Sequence, residues 1–130
     1  MNLQKGKGVT AFVAKWLFYS YPSCSTCRDA ERWLSQEGID YERVHIYNDP
    51  PDRATLQRLA SLLPGGVADL ISTRGRAYRE LGLADKSLSP QEWLDMIEQH
   101  PRLLRRPIIT DGQKVLVGYK QAEYEESVRS

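Results

Sequence analysis

Two cysteines separated by two residues, Cys24 and Cys27, stand where an apolar run gives way to a helical pattern. They are the chain's only cysteines. Trp16-Leu17-Phe18-Tyr19 reads as a buried strand, and Asp29-Ala30-Glu31-Arg32-Trp33-Leu34 carries helical spacing. A strand that feeds Cys-x-x-Cys into a helix N-terminus is the signature of a dithiol redox site. The first N–H groups of a helix lack intrahelical partners and carry the positive end of its dipole. A thiolate at Cys24 is therefore expected to be stabilised, below the free cysteine value of about 8.5. Cys27, one turn deeper, can close a disulfide with it. Cys24 is thus the expected attacking thiol and Cys27 the resolving one, and Arg28 adds positive charge beside them.

Two other uses of such a pair fit less well. A zinc site needs two further ligands, and the two histidines, His45 and His100, lie far from the pair and from each other. A structural disulfide over so short a loop removes little unfolded-state entropy, and 130 residues can bury a core without it.

Length sets one domain as the expectation, with residues 1–15 as an N-terminal extension and 16–130 as the domain. A net charge of +1 argues against a protein built to bind nucleic acid directly, although Arg102, Arg105 and Arg106 form a local basic cluster. No run approaches the roughly 18 apolar residues of a membrane span. The apolar stretch Val9–Ala14 is too short for a convincing signal segment. A cytoplasmic, reducing compartment is the expectation, where a cysteine pair is catalytic or sensing rather than structural.

Residues 16–21 read as a first strand, 24–37 as a helix stopped by Gly38, and 41–47 as a second, alternating strand. Strand, helix and strand joined by short links predict a parallel βαβ unit in an α/β fold. A helical insert follows at about 50–100. Asp52 caps a helix over 53–63, and Pro64-Gly65-Gly66 is a turn. Short helical pieces are expected over 67–71 and 73–81. Ser89-Pro90-Gln91-Glu92 is a capping box that opens a helix to about Gln99. Asp111-Gly112 turns a hairpin of strands 107–110 and 114–118, and 121–128 closes the chain as a helix. Trp33 and Trp93 are assigned to core faces, and Tyr19 and Tyr21 to the flanks of the cysteine site. His45 is read as an edge histidine and His100 as a helix end.

This order resembles the thioredoxin-like fold of the glutaredoxin branch and, more narrowly, the ArsC/Spx family of arsenate reductases, Spx-type regulators and YffB-like proteins. The motifs that carry the resemblance are Pro22-Ser23-Cys24-Ser25-Thr26-Cys27-Arg28, Ile71-Ser72-Thr73-Arg74, His100 through Ile109 with Arg105-Arg106-Pro107, and Val117-Gly118-Tyr119. The resemblance implies a cis Pro107 beside the Cys24 sulfur, Arg106 directed at Cys24, and Arg74 bordering the same site. Guanidinium groups bind oxyanions in a planar fork and hold a neighbouring thiolate charged.

The resemblance also implies alternatives in function. ArsC-type arsenate reductases work with glutathione and glutaredoxin and carry a third arginine where this chain has Gly118-Tyr119. Spx-type regulators bind the C-terminal domain of the RNA polymerase α subunit and switch with the cysteine pair. Gly66 matches a glycine at that contact, although a turn residue is the favoured reading. The leading expectation is a thiol–disulfide redox protein with no bound cofactor, served by glutathione, glutaredoxin or thioredoxin as electron donor. A redox-switched regulator is the alternative, and an arsenate reductase the third reading.

Overall fold

The computed structural model describes residues 15–129. The expected extension over 1–15 and the apolar stretch within it lie outside the described residues, apart from Lys15.

Strand β1 (Trp16–Ser20) is central and leads into helix α1 (Ser25–Gln36). Strand β2 (Tyr41–His45) pairs parallel to β1, from Trp16 opposite Tyr41 to Ser20 opposite His45. On the other side of β1 lies β3 (Ile108–Thr110), antiparallel, with Phe18 opposite Ile109. Strand β4 (Val115–Val117) completes the hairpin, giving the order β2-β1-β3-β4. The hairpin turn is held by the Asp111 carboxylate, which accepts the N–H groups of Gln113 and Lys114 at 2.9 and 2.8 Å. Gly112 supplies the positive φ of +91° there.

Strand alternation sorts the core into two layers. Trp16 and Phe18 face the layer under α1 and the closing helix α5 (Gln121–Ser127), with Ala30, Trp33, Leu34 and Tyr124. Tyr19 faces the other layer, with Ile108, under the helical insert. That insert contains α2 (Arg53–Leu62), α3 (Arg76–Glu80) and α4 (Pro90–Gln99), with 3-10 turns at Gly66–Leu70, Leu83–Asp85 and Pro101–Leu103. Leu56, Leu59, Leu94 and Ile97 seal it onto the sheet. Each such fully buried aliphatic side chain contributes about 1.5–3 kcal/mol.

The caps match the expectation. Asp52 accepts from the Thr55 N–H at 2.8 Å, and Ser89 and Glu92 form a reciprocal capping box. The segment expected as helix from 73 begins only at Arg76, because residues 72–75 form a turn in which the Gly75 N–H bonds to the Ser72 carbonyl at 3.2 Å. Ile71, read as the end of a helical piece, instead bridges antiparallel to Leu104. The Ser72 N–H donates to the Leu103 carbonyl and the Arg105 N–H to the Leu70 carbonyl, both at 2.8 Å. This short ladder ties the segment carrying Arg74 to the segment carrying Arg105 and Arg106.

Candidate redox site

Cys24 is the N-cap of α1, with extended backbone angles, and its sulfur accepts the Cys27 N–H at 3.2 Å. A side-chain acceptor here satisfies one of the orphan donors of the first turn. Sulfur does this with more effect as a thiolate, since a charged acceptor makes the stronger bond. Both cysteines are free thiols, 8% and 2% exposed for Cys24 and Cys27. Burial, reinforced by the Cys24 side chain, pushes the Cys27 thiol up to about 12. The pair is therefore asymmetric: Cys24 caps the helix at a cleft, while Cys27 is held protonated beneath it.

The cleft has a volume of about 740 Å³ and is open to solvent. Cys24 forms part of its wall, together with Arg74, Arg76, Arg102, Arg105 and Arg106 and a single acid, Glu80. Glu80 is already paired with Arg76 at 3.0 Å. Four guanidinium groups thus face the cavity uncompensated by that acid. Arg106 lies within electrostatic reach of both cysteine sulfurs. The peptide bond Arg106-Pro107 is cis, as the resemblance implies, and Pro107 is buried next to Arg106 in the wall. Gly118 has φ +81°, and Arg105 Nη2 lies 3.4 Å from where a Cβ on Gly118 would stand. A guanidinium thus sits over Gly118.

Other expected residues fall elsewhere. Arg28 does not line the Cys24 cleft: its Nη1 donates to the Pro22 carbonyl at 3.0 Å. It borders a second cavity of about 630 Å³ with Cys27, Glu31, Arg43 and His45. Helical geometry explains this, since a residue next to Cys27 projects about 100° away from it. Tyr19 is drawn into the core, where burial raises its phenol to about 12. Tyr21 packs on Tyr47, with ring centroids 5.0 Å apart, and does not wall the cleft. His45 Nδ1 accepts the N–H groups of Tyr47 and Asn48 at 3.2 and 3.1 Å, so it caps a turn. Trp33 is buried and Trp93 half-buried against Tyr78. Gly66 opens a 3-10 turn with φ +65° and is not part of the cleft.

Tyr47 was missed by sequence reasoning, and Arg102 was noted only as part of a basic cluster. The Arg106 Nη1 donates to the Tyr47 hydroxyl at 2.6 Å, and the Arg102 guanidinium lies 4.6 Å from the Tyr47 ring centroid. An aromatic at the end of a strand, just before the Asn48-Asp49-Pro50 breaker, was the available signal.

The ArsC family matches residues 19–127. The chain belongs to the ArsC family. It is 40% identical over 107 residues to the global transcriptional regulator Spx of Streptococcus pneumoniae, over 82% of this chain and 80% of that one. It is 35% identical over 106 residues to the regulatory protein MgsR of Bacillus subtilis, covering 82% and 84%. An ArsC family related protein from Bacteroides fragilis superposes with a TM-score of 0.80 at 34% identity, over 86% and 96% of the two chains. An arsenate reductase from Vibrio cholerae gives a TM-score of 0.77 at 26% identity, over 85% and 95%. The fold is thus the expected thioredoxin-like α/β arrangement of the ArsC/Spx family, with a helical insert between the parallel pair and the hairpin. Among the described residues no helix is long and apolar enough to cross a membrane.

Proposed function

We propose that this protein is a cytoplasmic thiol–disulfide redox protein in which Cys24 attacks and Cys27 resolves. The observation that carries the reading is the asymmetry of the pair: Cys24 caps the helix at the cleft, with Arg106 in reach, while Cys27, the deeper of two buried cysteines, has its thiol pushed up by burial. The Cys24 thiolate attacks one sulfur of an oxidised partner, forming a mixed disulfide and releasing the partner's other sulfur as a thiolate. That thiolate takes up a proton. Cys27 then gives up its proton and attacks the Cys24 sulfur. The bound partner leaves as a thiol, and Cys24–Cys27 becomes the disulfide. Two electrons have passed to the partner, and an external thiol (glutathione, glutaredoxin or thioredoxin) returns them by the reverse exchange.

Arg106 and Arg74 support charge at Cys24 and on an anionic partner in the cleft, and the buried Pro107 adjoins Arg106. Arg28 is left out of that role by its bond to Pro22. The test is the reduction potential of the pair. A value in the glutaredoxin range, about −200 to −230 mV, supports exchange with cytosolic thiols; one below about −300 mV marks an inert structural bond and overturns the reading.

A second reading rests on the likeness to the regulators Spx and MgsR. In it the same pair toggles contact with the C-terminal domain of the RNA polymerase α subunit, through a surface that includes Gly66, without turnover. Binding of that domain by the oxidised form alone, with no turnover of disulfide or arsenate, selects this reading over the enzyme.

A further inference from the structure

Arg106 is solvent-exposed on its outer side, and among the described residues no ion pair to a carboxylate holds it. A free arginine spreads its charge over many rotamers. Something else must aim this one. The Tyr47 hydroxyl accepts its Nη1 at 2.6 Å, and its guanidinium carbon lies 5.4 Å from the Tyr21 ring centroid and 5.7 Å from that of Tyr47. Arg102 covers the same two rings at 5.4 and 4.6 Å. Tyr47 is itself locked: its N–H is held by His45 Nδ1, and its ring packs on Tyr21 and, at 6.4 Å, on His45.

We infer that Tyr47 is the positioning residue for Arg106, holding its guanidinium against the Cys24 sulfur through the hydroxyl bond and the Tyr21–Tyr47 ring pair. The chain of residues runs from the end of β2, through Tyr47 to Arg106, which shares the cleft wall with Cys24, the cap of α1. Tyr47 does not wall the Cys24 cleft and so acts only through the arginine. The inference rests on Cys24 being the reactive thiol.

The test follows the pH profile of Cys24 alkylation by neutral iodoacetamide, in a Cys27→Ser background so that the label reports one sulfur. The charged groups walling the cleft with Cys24 are Arg74, Arg76, Arg102, Arg105, Arg106 and Glu80, and Tyr47→Phe removes none of these charges. That variant keeps the ring and removes only the hydroxyl. Its alkylation midpoint is expected to move to higher pH, with a drop of about threefold to tenfold in rate at neutral pH. In an Arg106→Met background, Tyr47→Phe is expected to change nothing further, because the residue it aims is gone. An unmoved midpoint in Tyr47→Phe, or an equal shift with and without Arg106, overturns the inference. The parent protein separates this from failure of the underlying reading: if its own midpoint is that of a free thiol, Cys24 is not activated and both fall.

Discussion

The main-chain N–H of Cys27 points at the sulfur of Cys24, 3.2 Å away, so the second cysteine's backbone stabilises the first one's side chain. Reduced and oxidised states then compete for the same few atoms. In the dithiol, the Cys24 sulfur is a helix cap; in the disulfide it is bonded to Cys27 and is a poorer acceptor. The reduced form is therefore stabilised relative to an uncapped pair, which makes the disulfide more oxidising.

Substitution of each cysteine should separate the roles. Cys24→Ser removes thiol labelling at neutral pH, because the remaining Cys27 is buried and held protonated. Cys27→Ser leaves Cys24 reactive and accumulates a mixed disulfide when challenged with an oxidised low-molecular-weight thiol, visible as one added mass per chain. Preferential labelling of Cys27 in the parent protein would falsify the assignment.

The arginine cleft should select reagents by charge. Iodoacetate carries a carboxylate and iodoacetamide does not, so the ratio of their rates at Cys24 reads the local field. That ratio is expected to exceed the ratio at free cysteine and to fall with added salt, since exposed charges are screened over about 8–10 Å at physiological ionic strength. Arg74→Ala lowers the ratio, because Arg74 walls the cleft. Arg28→Ala leaves it within about twofold, because that side chain is tied to Pro22 on the Cys27 side and exposed charges act weakly. Equal effects of the two would place Arg28 in the site after all.

What the sequence made legible was local. The cap at Cys24, the capping box at Ser89, the Asp111-Gly112 hairpin and the alternation in β1 are all encoded within a few residues of one another. The motifs likewise pointed to Arg74, Arg106 and a cis Pro107, and the structure gathers both arginines into one wall. Lost were relationships between segments far apart in the chain. The Ile71–Leu104 bridge that brings Arg74 to Arg106 joins residues whose apolar neighbours read equally well as short helix. The Tyr47–Arg106 bond links residues 59 positions apart, and neither residue carries a local signal of the other. Arg28 lies next to Cys27 in sequence, but its side chain turns to Pro22 on the far side of Cys27 from the Cys24 cleft, which nearness along the chain does not reveal.

Ser89 offers a test of the helix that roofs the sheet under the insert. Its hydroxyl accepts the Glu92 N–H at 3.1 Å, and the Glu92 carboxylate accepts the Ser89 N–H at 2.8 Å. Ser89→Ala breaks the first bond and is expected to cost about 1 kcal/mol in urea unfolding, with an unchanged denaturant slope. Cys24 reactivity should not move, because α4 takes no part in the cleft wall. A loss of reactivity in a folded Ser89→Ala protein would mean that α4 supports the site directly.

Stability should fall in alkali, and earlier than the surface charges alone would dictate. Burial raises Tyr19 from 10.0 to about 12 and, with the Cys24 side chain, Cys27 from 9.0 to about 12. Tyr124 is raised further still, mainly by burial, and its hydroxyl donates to the Gly118 carbonyl at 3.0 Å. Between about pH 9 and 12 the unfolded chain has released these protons while the folded chain keeps them. Folding stability then decreases with pH, since the unfolded state binds fewer protons. The contribution is present in full below about pH 9 and is lost as pH rises through about 12. For Tyr19 alone it is on the order of 2–3 kcal/mol. Urea unfolding of the reduced protein at pH 7, 9 and 10.5, expected to show a midpoint that declines above pH 9, measures this; Tyr19→Phe should flatten the decline. Forming the Cys24–Cys27 disulfide removes the Cys27 proton from the balance, so the oxidised protein should lose stability less steeply. A midpoint that holds level to pH 10.5 in the reduced protein would show that these groups are not protonated in the fold as the buried core requires.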